Sequence, residues 1–228
     1  SDEWDKWYVN QCRPDIHLDQ VDFYSNHVKK FLSDEVKKRA KTLDKCMRID
    51  DKHYRPDQEK IYDCLIYSKK RRYDYKFEEF RNNLVALLEK ENITYIEIKS
   101  GKYGSYKRED YFDALNKSKI TVNLSLDECP GILNYESMFF NVPVVGSRNN
   151  VPINSSSEFY VEDTDYMTDA YLVRKDDAAL KYFKMIKKCK DEELYSKLNH
   201  RMFIVNHTSF HLYAERVFDL ISKEIKWD

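Results

Sequence analysis

The chain has 228 residues, 42% of them apolar, which supplies a core and excludes wholesale disorder. Lys and Arg number 39 against 40 Asp and Glu, a net charge of −1, so the broad basic excess of a nucleic-acid-coating protein is missing. No apolar run approaches the roughly 18–20 residues of a membrane span, and SDEWDKWYVN at the start lacks the apolar core and cleavage site of a signal peptide, so the expected location is cytoplasmic.

Residues 1–18 show no clear period. The stretch 20–32, QVDFYSNHVKKFL, reads as a short strand, a turn at Ser25 and a helix. A strand-like patch and a polar loop follow, ending at Pro56. From residue 61 the pattern becomes regular. IYDCLIYS (61–68) is a continuous apolar strand of the kind buried on both faces. In the predicted helix 76–92, Phe77, Phe80, Leu84, Leu87 and Leu88 form an apolar stripe. A strand at 93–100, a helix at 107–118 and a strand at 119–126 come next. A short helix at about 132–140 and a strand at 141–147 complete the alternation. SSEFYVEDT (156–164) reads as a strand and turn, and three helices close the chain at 176–190, 191–207 and 209–226.

Alternation of strand and helix implies a parallel sheet with helices on both faces, an α/β Rossmann-like fold. Ligands in such sheets bind outside the carboxyl ends of the strands. The expected organisation is an N-terminal segment and linker over 1–60, a ligand-binding domain over 61–205 and a closing helix over 206–228.

Two of the loops at those strand ends carry chemistry. In DECPGILNYESMFFNVPVVG (127–146) an acid, Glu128, follows a strand, and Pro130-Gly131 turns the chain into a helix. Free amides at a helix start attract anions, and Gly131 leaves room for a phosphate to approach Gly131, Ile132 and Leu133. Glu136 sits one turn inside, where a carboxylate can accept two hydrogen bonds from a ribose diol. An ordinary helix-surface glutamate is the competing reading. Asn141 and Pro143 stop the helix and pin Glu136 between two strands. In SKKRRYDYK (68–76) Lys69, Lys70, Arg71, Arg72 and Lys76 face only Asp74, placing positive charge at the ligand edge. A solvated basic loop or an RNA-contacting patch would give the same run. Cys12, Cys46, Cys64, Cys129 and Cys189 are odd in number and widely spaced, which argues against a zinc site or disulfide framework and for a reducing compartment. His207 and His211 share a helix spacing that more often means surface or packing than metal.

The 127–146 stretch resembles the E-x7-E signature of GT-B glycosyltransferases, particularly the large retaining family 4. DCLIYSKKRR is similar to the first strand and basic loop of the donor domain, and SFHLYAERVFDLI to its closing helix. VDFYSNHVKKFL and MRIDDKHYRP look like the end of the first domain and the linker. The similarity runs from about residue 21 to 221. It implies the donor-binding half of a GT-B enzyme, transferring a sugar from a UDP- or GDP-linked donor to a glycan or glycoconjugate with retention and without metal. It implies Glu136 on the ribose, Glu128 near the transferred sugar, and the amides of Gly131, Ile132 and Leu133 on the distal phosphate. A basic pair from Lys69, Lys70, Arg71 and Arg72, with Lys70 and Arg71 foremost, would stabilise the departing diphosphate. The base would stack near Tyr103 or Tyr106.

The sequence departs from the family at Asn141, where Gly is usual, at Pro130, where an aromatic is common, and at Ser137, where Ala is usual. Only about sixty residues precede the donor sheet, against roughly 100–200 for a typical domain. A piece of a larger polypeptide, a minimal transferase or a partner-dependent enzyme all fit that length. A non-catalytic nucleotide-sugar-binding or interaction module is the alternative function. RNA binding through KKRRYDYK is a third reading, which the charge balance opposes.

Overall fold

The computed structural model describes residues 17–19, 40–42, 49–70, 74–100, 105–126, 132–147, 159–168, 171–208 and 210–224. The chain divides into two compact units, one formed by 49–151 and 155–204, the other by 1–48, 152–154 and 205–228. The smaller unit contains a parallel pair, β1 (His17–Asp19) with β2 (Ala40–Thr42), and a C-terminal helix over Phe210–Glu224. The strand and helix expected over 20–32 fall outside the described residues.

The larger unit begins with β3 (Tyr62–Lys69), α1 (Phe77–Lys90) and β4 (Tyr95–Ser100). It continues with α2 (Arg108–Lys117), β5 (Ser118–Asn123), α3 (Ile132–Phe139), β6 (Val144–Ser147) and β7 (Tyr160–Val161). These strands form one five-stranded sheet in the order β4-β3-β5-β6-β7, parallel throughout. The α/β, Rossmann-like expectation is met.

Why the sheet forms here follows from its residues. Cys64, Leu65 and Ile66 of β3 are fully buried, as a central strand covered on both faces requires. Successive side chains point to opposite faces. Cys64 and Ile66 join Ile120, Val122 and Val145 in a core that α1 covers with Phe77, Phe80, Leu84 and Leu88. Leu87, expected in that stripe, is only half-buried. On the opposite face Tyr67 meets Tyr111 of α2, ring centroids 6.4 Å apart. Phe112 of α2 packs on Phe140 just after α3 at 5.1 Å.

The order of strands fixes a switch point. The chain leaves β3 for β4 on one side, then crosses back through α2 to β5 on the other, and continues outward to β6 and β7. Right-handed crossovers in opposite directions put α1 and α3 on opposite faces. In sheets of this class such a reversal marks where ligands bind, outside the carboxyl ends of the two strands at the switch, here β3 and β5.

Beyond the sheet, two expectations change. Among the described residues of 156–164 the expected strand is the short β7, and an unexpected antiparallel hairpin follows, β8 (Thr164–Thr168) with β9 (Tyr171–Arg174). The helix expected over 191–207 is two, α5 (Leu194–Lys197) and α6 (His200–Thr208), preceded by α4 (Ala178–Asp191). Glu193 at φ 50° breaks the chain between α4 and α5. We label the Phe210–Glu224 helix α7. α4 lies on the α1 side of the sheet, contributing Tyr182 and Ile186 to that core.

Candidate functional site

Glu136 lies in the second turn of α3, and only 8% of the residue is exposed. α3 is short because its ends are fixed. Asn141 takes the left-handed conformation at φ 57°, and its amide bonds the Met138 carbonyl at 2.9 Å. Arg201 of α6 then clasps this end. Its amide donates to Asn141 Oδ1 at 3.3 Å, and its guanidinium donates to the Phe139 carbonyl at 2.9 Å. The same guanidinium lies over the rings of Tyr54 and Phe139 at 4.2 and 4.0 Å. At the other end Asn134 Oδ1 accepts from Asn123 Nδ2 at 3.0 Å, tying the first turn of α3 to the end of β5. The side chain of Asn123 also accepts the amide of Ser125, which shapes the strand exit.

Arg108, the first residue of α2, donates to Glu136 Oε1 at 3.2 Å. The carboxylate is nearly buried, while the arginine side chain is 58% exposed and keeps N–H groups toward solvent. Tyr111 lies one turn further along α2. Complete burial pushes its phenol well above the ordinary range, and the charge of Glu136 adds to that. Tyr111 packs against Tyr67 and Tyr106 with centroids 6.4 and 5.5 Å apart, and Tyr106 meets Tyr67 edge-on at 6.2 Å. Tyr106 is 37% exposed. The result is an aromatic wall at the carboxyl end of β3, with the nearly buried Glu136 carboxylate and its more exposed Arg108 partner beside it.

Lys69 closes β3 in register with Ser100 of β4. Lys70 pairs with Glu78 of α1 at 3.5 Å. Leu133 is buried in the first turn of α3, and Ile132 begins that helix. Glu128, Gly131, Arg71, Arg72 and Tyr103 lie outside the described residues. The structure thus brings Glu136 and Tyr106 to one wall through Tyr111, and sets Lys69 and Lys70 at the end of the neighbouring strand. Sequence reasoning missed Arg108, because in KRED it looks like one charge in a solvated run. It also missed Arg174, whose side chain is 1% exposed beside Asp74 and Asp163. No signal in YLVRKDD sets that arginine apart.

Two further features are structural. Asp63 at the amino end of β3 bonds Lys119 and Lys190 at 2.9 and 3.0 Å. Glu97 of β4 accepts from Arg81 and from Ser68, the latter at 2.6 Å. Burial alone would raise the Glu97 carboxyl, yet these bonds bring it below its ordinary range. Among the described residues Cys64 and Cys189 are free and buried, no group of three His, Cys, Asp or Glu side chains is arranged to hold a metal ion, and no helix is long and apolar enough to cross a membrane.

The strand order, with its switch between β3 and β5, belongs to the α/β class that binds ligands at a topological switch point. No family model and no curated protein matches the chain. Solved structures do. TarM superposes with a TM-score of 0.68 at 13% identity, over 97% of this chain and 46% of that one. The GtfA/B complex gives 0.65 at 11% identity, over 98% and 48%. The pneumococcal O-GlcNAc transferase GtfA, solved with UDP and GlcNAc, gives 0.61 at 10% identity, again over 98% and 48%. The chain has the fold of one half of a GT-B glycosyltransferase, and it spans about half the length of these solved chains.

Proposed function

We propose that the protein is a glycosyltransferase that moves a sugar from a UDP- or GDP-linked donor to a glycan or glycoconjugate acceptor. The observation that carries this reading is Glu136. It is a nearly buried carboxylate on a short helix clamped at both ends, ion-paired with Arg108, in a fold shared with known glycosyltransferases. Arg108 holds the Glu136 side chain in place at 3.2 Å, and the carboxylate keeps further lone pairs to accept two ribose hydroxyls. Tyr106 offers an exposed ring edge for the base, and Lys69 and Lys70 supply cations where charge develops on the leaving diphosphate. Glu128, Gly131, Arg71, Arg72 and Tyr103 keep the roles that the E-x7-E resemblance implies. Retention of configuration, independence of metal and a cytoplasmic location are parts of the proposal that rest on sequence alone. The acceptor side would come from a further domain or a partner.

The test pairs binding with turnover. UDP or GDP should raise the melting temperature more than the matching monophosphate. A panel of nucleotide sugars should reveal slow hydrolysis of one donor, unaffected by EDTA. Absence of any nucleotide-dependent shift refutes the reading. Binding without hydrolysis or transfer, even with acceptors supplied, identifies instead the non-catalytic nucleotide-sugar module, which the half-length match to the solved enzymes also accommodates.

A further inference from the structure

A buried ionic knot joins Arg174, Asp74 and Asp163 and has no part in the roles assigned above. Arg174, the last residue of β9, is 2% exposed. Its Nε and Nη2 donate to the two carboxylate oxygens of Asp74, at 3.3 and 2.6 Å. Nη2 also donates to the Leu124 carbonyl at 2.9 Å, and Nη1 to Asp163 Oδ2 at 3.0 Å. The guanidinium lies over Phe80 of α1, 4.0 Å from the ring centroid. Asp74 and Asp163 are themselves 2% and 0% exposed.

Each partner has a telling place. Asp74 lies within the basic stretch 68–76, three residues before α1, and its carbonyl accepts the Phe77 amide. Leu124 is the first residue past β5, where the chain sets out toward α3 and Glu136. Asp163 follows the edge strand β7. One guanidinium therefore holds together the start of α1, which follows β3, and the exits of β5 and β7. Its fork suits this task, since it satisfies a bidentate carboxylate, a second carboxylate and a carbonyl at fixed angles, which an ammonium cannot do. Burying three charges is costly, and apolar side chains of similar volume often give equal or greater stability. Core stability alone thus gives no reason for charges here, whereas fixed geometry between strand exits does.

We propose that Arg174 is a positioning residue of the phosphate-binding part of the nucleotide site. It acts through Asp74 and Leu124, setting the cations at the end of β3 against the start of α3. The inference rests on the nucleotide-site reading above.

The experiment compares UDP and GDP with uridine and guanosine, titrated by NMR into the wild-type chain, Arg174→Lys, Asp74→Asn and Leu84→Ala. Leu84 lies in the core away from the site and serves as a control for general destabilisation. Arg174→Lys should weaken the diphosphate about tenfold or more while leaving the nucleoside within about twofold, since only the phosphate half is displaced. Asp74→Asn should do the same with the shape of the knot preserved, and it carries the test if Arg174→Lys loses its cooperative melt. Leu84→Ala should leave the ratio of the two affinities unchanged. Equal losses for nucleoside and diphosphate, or a ratio that follows melting temperature across the variants, overturn the positioning role. Wild-type protein that binds neither diphosphate refutes the nucleotide site itself, a different outcome.

Discussion

Replacing Asp63 with Asn should remove stability in a way that depends on pH. The Asp63 side chain is 8% exposed at the amino end of β3. It accepts from the Thr94 amide at 3.1 Å, from Lys119 at 2.9 Å and from Lys190 at 3.0 Å. It therefore ties β3 to the start of β4, to β5 and to α4. Burial opposes its ionisation, but these bonds outweigh burial and lower the pKa from 3.8 to about 2. A carboxyl depressed in the folded state binds its proton more readily when unfolded. Its contribution is complete above the unfolded value and disappears as pH falls from about 4 through about 2. At 1.36 kcal/mol per unit the full shift would be worth roughly 2.5 kcal/mol. Lys119 and Lys190 remain 27% and 34% exposed, so solvent screens the pairs. About 1–2 kcal/mol is the expected contribution. Urea unfolding followed by circular dichroism at pH 7, 4, 3 and 2 measures it. The variant should be less stable by that amount at pH 7, and the gap should close toward pH 2. A gap that stays constant over this range, or none at pH 7, refutes the reasoning.

Glu136→Gln should weaken UDP or GDP binding by roughly thirty- to several-hundred-fold, from the loss of about 2–4 kcal/mol in two charge-assisted bonds to the ribose. Calorimetry reads this directly, and an affinity within about threefold of wild type removes Glu136 from the ribose site. Leu84→Ala, at a fully buried position of the α1 core, should cost about 2–5 kcal/mol in urea unfolding. A loss below about 1 kcal/mol would show that the α1 face of the sheet is loosely packed. Asn141→Ala should cost about 1–2 kcal/mol, because alanine tolerates φ 57° poorly and the acceptor for the Arg201 amide is lost. Asn141→Gly should cost less, and an alanine variant as stable as the glycine one would mean that the helix end had moved.

From β3 to β6 the sequence was readable, with most element ends within one or two residues. Apolar runs such as IYDCLIYS and the stripe through Phe77, Phe80, Leu84 and Leu88 carry their own period, and the core they form is the one found. The hairpin at 164–174 was not readable. Its strands run through TDYMTDAYLVR, where acids and small polar residues hide the alternation. The break between α5 and α6 was hidden too, since DEELYSKLNHRM reads as one helix and its interruption depends on packing. Tyr106 was named from its place in the sequence alone. An aromatic near the ligand edge was expected, but its neighbours Tyr67 and Tyr111 come from a strand and a helix that only the fold brings together.

Pattern and spacing determined the parallel α/β architecture, because periodicity and turn residues are local properties, and Glu136 was picked out by its place on a short helix and by resemblance to the E-x7-E signature. The electrostatic setting belongs to the tertiary structure. Arg108 reaches Glu136 across 28 positions of sequence, and Arg174 reaches Asp74 across 100. In the chain both arginines look like ordinary surface charge. Only the crossover that folds α2 over β3 sets one beside the carboxylate, and only the hairpin that ends in β9 brings the other to Asp74 and Asp163, so the sequence shows which groups are charged but not which of them meet.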